Sequence, residues 1–438
     1  MSVQPAAPDL RTGPSRNRVA AAGMVGSVVE YYDFTLFGLA AALVFGEHFF
    51  PKSSPAAATL ASLATFAVGF LARPLGGVIF SHYGDRVGRK PMMVITLLLM
   101  GFATAAIGVL PDHGSIGLLA PILLVALRLL QGLGAGAEYV GALVMSAESG
   151  DVRRRGLLAA LPGTGVFIGI LLATLTFSGI SSLPKEQFDS WGWRLPFLLS
   201  LLGVALGLYF RARVAETPVF TELKEAGATG RAPVAEVIRR QPRRLLLAMA
   251  ANGPFVAISY LIQVFVLSYV TTTLGVPKGV GLAANVTASA LSIVATPLFG
   301  ALSDRVGRKP VWFGGAGFLA VFAFPMFWLL GTRSPALIVV AVSLGLAVGV
   351  ASMYAAQASL FAELFEARFR LSGIALARES TAALIGGPAP LVASAVLTWA
   401  GGASWPIAAL VCVFAVISLV AVLAVPETRG ADLRLPLR

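Results

Sequence analysis

This chain is poor in charge. Only 12% of its 438 residues are Asp, Glu, Lys or Arg, about half the share of a soluble globular protein. A soluble chain of this length would have to solvate two or three domains with that deficit, which excludes an ordinary water-soluble enzyme. Cysteine occurs once, as Cys412 in the last apolar run, so no intramolecular disulfide can form. The only histidines, His48, His82 and His113, lie in or beside loops. With no H-E-x-x-H and no nucleophile-elbow pattern, neither catalytic residues nor a metal site is expected. No G-x-x-x-x-G-K-[ST] occurs, so neither ATP nor a cofactor is expected to drive it. The first eighteen residues are polar, with Arg11, Arg16 and Arg18, and do not read as a signal peptide.

What the chain has in abundance is apolar length. Hydrophobic residues make up 57% of it, and the mean hydropathy is +0.83. The 47 glycines and 26 prolines lie among long apolar runs, where membrane helices tolerate both. Twelve runs approach the roughly 20 residues that a spanning helix needs: 19–45, 57–80, 92–110, 116–146, 157–180, 195–210, 245–273, 280–302, 311–331, 335–361, 371–400 and 404–425. The sixth is short and is expected to begin near Trp191. An even count places both termini on one side. Twenty-five of the 33 Lys and Arg residues fall in the two tails and the even-numbered connections. Five fall opposite: Lys52, Lys185, Arg194, Lys278 and Arg333. The remaining three, Arg73, Arg128 and Arg378, lie within or at the edge of apolar runs. The positive-inside rule then makes both termini cytoplasmic, and the net charge of +12 reads as orientation rather than nucleic-acid binding. Trp191, Trp193, Trp399 and Trp405 fall at outer ends, as an aromatic belt would.

The chain repeats itself. Asp85-Arg86-Val87-Gly88-Arg89-Lys90-Pro91 recurs as Asp304-Arg305-Val306-Gly307-Arg308-Lys309-Pro310, offset by 219, between the second and third spans of each half. Weaker echoes are Ala147-Glu148 with Arg153 against Ala362-Glu363 with Arg368, and Glu216-Thr217-Pro218 against Pro426-Glu427-Thr428. The longest connection divides the spans six and six. The expected organisation is therefore a cytoplasmic tail (1–18), a six-helix bundle (19–210), a cytoplasmic linker (211–244), a second bundle (245–425) and a tail (426–438). Parallel six-helix repeats with a cavity between them are the layout of a secondary transporter.

The pattern G-x-x-x-D-R-x-G-R-K, here with Ser81 at its first position, resembles the loop motif of the major facilitator superfamily. Further matches resemble its metabolite:proton symporter family, which includes shikimate, citrate, α-ketoglutarate and proline/betaine carriers. They are Glu30-Tyr31-Tyr32-Asp33-Phe34, Ala72-Arg73-Pro74-Leu75-Gly76-Gly77, Arg128-Leu129-Leu130-Gln131-Gly132 and Trp191-Gly192-Trp193-Arg194-Leu195-Pro196-Phe197. Residues Ala40 to Pro51 look most like the shikimate-carrier branch. The resemblance implies an all-α membrane protein of twelve transmembrane helices in two six-helix bundles. It departs from the family at Tyr31 (usually Trp), at Ala137 and Tyr139 in span 4, and at Ala377-Arg378, where a Tyr-Gln pair is common.

Charges inside apolar runs cost about 2.5–3.5 kcal/mol and face a cavity or each other. Glu30 and Asp33, three apart, share a face of span 1, and burial can raise a carboxyl pKa by about 3–5 units. They are the candidates for proton coupling, with Arg128 as the partner whose planar fork suits a carboxylate. The alternative for Arg128 is a structural ion pair with Asp33 or Glu138. Arg128, Gln131, Ala135 and Glu138 fall within about 80° on a helix, beside a small-residue stripe at Gly132 and Gly136 that would admit a neighbouring helix. In this reading protonation of Asp33 frees Arg128 for an anionic substrate. Arg378 and Glu379, about 100° apart, are not expected to pair face to face, and Arg378 suits a substrate carboxylate. Tyr139, Tyr260, Gln263, Tyr354 and Gln357 complete the substrate-binding candidates with Gln131, Glu138 and Glu379. The loop motifs are read as gates. Asp85 and Asp304 sit at helix ends where Arg86, Arg89, Arg305 and Arg308 make charge-assisted bonds, and Gly88 and Gly307 allow the tight turn.

The expected function is import of a small organic acid, shikimate-like or another carboxylate, with a proton by alternating access. The partners are the solute, the proton and membrane lipids, with no nucleic acid, in a monomer of the bacterial inner membrane. Two alternatives stand: import of a zwitterionic osmolyte such as proline or betaine, and proton-exchange export. Against export, span 5 carries Pro162-Gly163-Thr164-Gly165 through Gly169 rather than a G-P-x-x-G-G-like motif, and Gly386-Gly387-Pro388 lies in span 11.

Overall fold

Apolar runs must satisfy their backbone polar groups within the segment, so each folds as a helix. The computed structural model describes residues 16–50, 55–149, 151–212, 218–225 and 233–433. The Glu216-Thr217 echo and most of the N-terminal tail lie outside the described residues, as does the side chain of Arg89. The first half contains α1 (Arg16–Leu43), α2 (Pro55–Val87), α3 (Arg89–Gly108), α4 (Leu119–Ser149), α5 (Arg155–Ile180) and α6 (Leu195–Ala212). The second contains α7 (Pro242–Thr273), α8 (Lys278–Val306), α9 (Arg308–Gly331), α10 (Pro335–Leu364), α11 (Ala367–Trp399) and α12 (Trp405–Leu423). Eleven of these are long and apolar enough to cross a membrane, and α1, with 28 residues, is the twelfth long helix. The linker carries two short helices, Pro218–Glu225 and Pro233–Arg240, that the charge count did not reveal. Val237 anchors the second of them in the core.

Within the first half α1 packs on α5 and α4, and α2 on α4. The halves meet along α5 against α8 and α10, and along α2 against α11. The stripe at Gly132 and Gly136 faces α2. A Cβ on Gly132 would lie 2.3 Å from the Gly69 carbonyl oxygen, and one on Gly136 2.1 Å from that of Arg73, so only glycine permits this approach. The helices α7, α10 and α11 each contain π turns, at Leu261–Phe265, Tyr269–Thr273, Gly345–Val350 and Ala382–Gly386. Such turns leave backbone carbonyls without regular partners, and Asn285 donates to the Gln263 carbonyl at 3.1 Å. One expectation fails at the periphery. Trp193 is fully buried among Phe45, Phe49 and Phe197 and is no belt residue, because the turn Gly192–Arg194 folds it inward. Trp191, Trp399 and Trp405 are exposed.

Candidate functional site

Halfway along α1, α2 and α11, four charged side chains lie buried together. Arg73 donates through Nη2 to Glu30 Oε1 and through Nε to Glu379 Oε2, both at 2.7 Å. Arg378 donates through Nη1 to Glu379 Oε1 and through Nη2 to the Tyr31 hydroxyl, the latter at 2.9 Å. The Tyr31 and Tyr354 hydroxyls lie 3.5 Å apart, and the Arg378 guanidinium stands 4.1 Å above the Tyr139 ring centre. Two cations and two anions balance, which is what allows them to remain charged away from water. The Arg73–Glu379 bond joins the first half to the second, so the cluster is a latch as well as a polar site. The Tyr139 hydroxyl, Glu30 Oε2 and Gln357 Oε1 are buried without a hydrogen-bond partner among the described residues.

A second polar group lies within the first half. Asp33 accepts from Ser200 Oγ of α6 at 2.6 Å and from Thr104 Oγ1 of α3 at 2.7 Å. Thr104 in turn accepts from Gln131 Nε2 at 2.7 Å, and Gln131 Oε1 accepts from Arg128 Nη1. No ion pair joins Arg128 to an acid among the described residues, and its Nε has no partner. Its guanidinium lies instead 4.0 Å from the Phe34 ring centre, 4.1 Å from Phe37 and 5.1 Å from Phe66. These rings supply cation–π attraction without neutralising its charge.

The motif-bearing end is sealed by bonds between halves. Asp85 accepts from the Ser372 amide at the start of α11 at 2.9 Å. Asp304 accepts from the Gly156 and Leu157 amides at the start of α5 at 2.7 and 3.0 Å. Each aspartate thus caps a helix of the opposite half, where the dipole favours an anion. Arg155 donates to Glu363 at 3.0 Å and Arg370 to Glu148 at 2.7 Å, both across the interface. The C-terminal segment closes the same end: Thr428 Oγ1 donates to Glu363 Oε2, and Arg155 and Arg370 donate to the Ala431 and Leu433 carbonyls.

The structure brings Glu30, Tyr139, Tyr354, Arg378 and Glu379 together, and Asp33, Arg128 and Gln131 together, but as two separate groups. Five expectations are corrected. First, Glu30 and Asp33 diverge, Glu30 to α2 and Asp33 to α3 and α6. Second, Arg128 pairs with neither Asp33 nor Glu138, because two neutral links separate it from Asp33 and Arg211 takes Glu138 together with Thr96. Third, Arg378 and Glu379 do pair, because the long arginine side chain spans the angle between adjacent helix positions. Fourth, Gln263 bonds Ser259, and Gln357 bonds Asn252, which in turn donates to the Arg378 carbonyl at 3.4 Å, so neither amide bonds a charged side chain among the described residues. Tyr260 packs edge-on against Phe70 at 5.4 Å. Fifth, the loop aspartates reach backbone amides of the opposite half, which the motif reading did not foresee. Arg308 makes the expected charge-assisted bonds, to Asp304 at 2.8 Å and to Glu363, whereas Arg86 and Arg305 are exposed. Gly88 and Gly307 do take the positive φ of a tight turn, 137° and 106°.

Sequence reasoning assigned no role to Arg73, Thr104, Ser200, Arg155 and Arg370, which the structure places in these polar groups and across the interface. Arg73 carried the same signal as Arg128, a charge well inside an apolar run.

A sequence model described as Major Facilitator Superfamily matches residues 23–387. The shikimate transporter of Escherichia coli K12 is 40% identical over 392 residues, covering 89% of this chain and 90% of that protein. A proline/betaine transporter of Salmonella typhimurium LT2 is 32% identical over 437 residues, covering 96% and 85%. The solved structure of the proton:xylose symporter XylE bound to 6-bromo-6-deoxy-D-glucose superposes with a TM-score of 0.79 at 17% identity, over 96% of this chain and 98% of that one.

Proposed function

This chain belongs to the major facilitator superfamily and is a multi-pass inner-membrane transporter, not an enzyme, and from that premise we propose that it imports a small organic acid together with a proton. In this reading the two six-helix halves rock against each other, breaking and remaking the latch of Arg73 and Glu379, with both termini and the linker on the cytoplasmic side. Asp33 carries the proton, and Arg128 receives the substrate carboxylate.

The observation that carries this reading is Arg128. Every other cation at this depth is matched by an acid: Arg73 by Glu30 and Glu379, and Arg378 by Glu379. Among the described residues Arg128 has only a neutral amide, a weak contact to the Phe66 carbonyl at 3.4 Å and three aromatic rings. A buried cation in that setting attracts an anion, and its fork matches a carboxylate. The shikimate transporter among the relatives supports an acid as solute. The proline/betaine transporters among them support the second reading, a zwitterion. Aromatic faces suit a quaternary ammonium, but here the faces of Phe34, Phe37 and Phe66 already hold a guanidinium that repels it.

Charge movement decides between the two. One elementary charge crossing 100 mV is worth about 2.3 kcal/mol, close to fiftyfold in accumulation ratio. A monocarboxylate with one proton moves no net charge, whereas a zwitterion with one proton moves +1. In proteoliposomes given radiolabelled shikimate or glycine betaine, shikimate accumulation should follow an imposed pH gradient and ignore a potassium-diffusion potential. Strong uphill betaine uptake driven by the potential alone would replace the acid with the zwitterion.

A further inference from the structure

We propose that Thr104 couples Asp33 to Arg128 by turning its single hydroxyl proton between two acceptors, the Asp33 carboxylate and the Met100 carbonyl. The inference rests on the reading that Asp33 is the proton site, and it identifies the residue that transmits the proton's arrival.

Thr104 Oγ1 lies 2.7 Å from Asp33 Oδ2 and 3.0 Å from the Met100 carbonyl oxygen. A hydroxyl has one proton and two lone pairs, so it can donate to only one of these at a time. With Asp33 ionised, Thr104 donates to the carboxylate and accepts from Gln131 Nε2. When a proton binds Oδ2, that oxygen becomes the donor, and the Thr104 proton turns to the Met100 carbonyl. The Thr104 oxygen then accepts from both Asp33 and Gln131. No hydrogen bond is left unmade in either state, so Asp33 can gain or lose its proton without leaving a buried polar atom unsatisfied.

What changes is polarisation along the chain. An ionised Asp33 polarises the Thr104 hydroxyl, which strengthens its hold on the Gln131 N–H and, through the amide, the hold of Gln131 Oε1 on Arg128. Such chains strengthen each bond by roughly 10–30%. Protonation divides the Thr104 lone pairs between two donors and loosens Gln131 on Arg128. Gln131, first read as a substrate ligand, is in this account a link. The charged groups facing Asp33 are Arg128 from α4 and Glu30 on its own helix. Arg73 of α2 faces Glu30 instead. From α3 and α6 it meets the hydroxyls of Thr104 and Ser200, and the only charged side chain of α5, Arg155, lies at the motif-bearing end.

The test needs no substrate. The carboxyl band of Asp33, assigned by its loss in Asp33→Asn, is followed by infrared difference spectroscopy of the purified full-length protein across pH. Thr104→Val, of nearly the same shape, moves the titration midpoint by about one unit, and Thr104→Ser keeps it within about 0.3 unit. Gln131→Leu moves the midpoint although Gln131 does not touch Asp33, and adding it to Thr104→Val moves it no further. Additive shifts, an unmoved midpoint in Thr104→Val or Gln131→Leu, or a Thr104→Ser variant that behaves like valine would overturn the relay while leaving Asp33 as the proton site. A titrating band that persists in Asp33→Asn would remove Asp33 from that role and the relay with it.

Discussion

Glu379 binds an arginine from each half, Arg73 of α2 and Arg378 of α11, so its charge helps to set how often the halves part. Glu379→Gln keeps the shape and one accepting oxygen but removes the anion, leaving the cluster with two cations and Glu30 alone. Breaking a buried ion pair by deleting one partner costs about 3–5 kcal/mol. Arg73 retains its 2.7 Å bond to Glu30, so the lower end applies, about 3 kcal/mol. The loss falls chiefly on the joined arrangement, because separation of α2 from α11 breaks the Arg73–Glu379 bond in any case. At about 1.4 kcal/mol per power of ten, the separated population should rise roughly 150-fold. Spin labels at Val87→Cys and Val306→Cys would report it. Both sites are exposed, one in each loop motif, and Cys412→Ser removes the native thiol. Double electron–electron resonance should show a longer distance gaining weight in Glu379→Gln and less weight in Glu379→Asp, which keeps the charge. A distance distribution unchanged from the parent would refute the latch.

Asp33→Asn should abolish uptake driven by a pH gradient while exchange of labelled solute persists, as counterflow in proteoliposomes will show. Asp85→Asn weakens the cap on the Ser372 amide, so turnover should slow while solute affinity stays within a few-fold; collapsed affinity with unchanged turnover would contradict a gating role. Gly132→Val drives a branched side chain into the Gly69 carbonyl, and overpacking of this kind costs about 1–3 kcal/mol. Thermal unfolding in detergent should fall accordingly, and a Gly132→Val protein as stable as the parent would show that α2 and α4 can spread.

The architecture was legible because the bilayer leaves a chain so few options. Runs of about twenty apolar residues become helices whatever their detail, and seven identical residues at an offset of 219 expose the duplication. Contacts that depend on which helix faces which were not legible. The i, i+3 spacing of Glu30 and Asp33 placed them on one helix face, but a spacing does not say that α2 flanks one edge of that face while α3 and α6 flank the other. Arg128 looked like the partner of Asp33 because both are charged and embedded. Of the neutral side chains that intervene, Thr104 carries no charge to draw notice, and Gln131 was read as a substrate ligand rather than a link. The linker helices escaped for a different reason: they are short, and polar on one side.

The sealed end shows how far the repeat could have been pressed. The offset of 215 that aligns Glu148 with Glu363 also aligns Arg155 with Arg370. An acid and a base repeated at matching positions in two halves have two symmetric solutions: both pairs form within their own halves, or both are exchanged. The chain exchanges them, Arg155 to Glu363 and Arg370 to Glu148, and the loop aspartates do the same, Asp85 capping α11 and Asp304 capping α5. Pairs confined to one half would be indifferent to rocking, since their partners move together. Exchanged pairs all cross the interface, so any opening of this end would break them in concert, and the closed and open arrangements would then be two distinct states rather than a continuum.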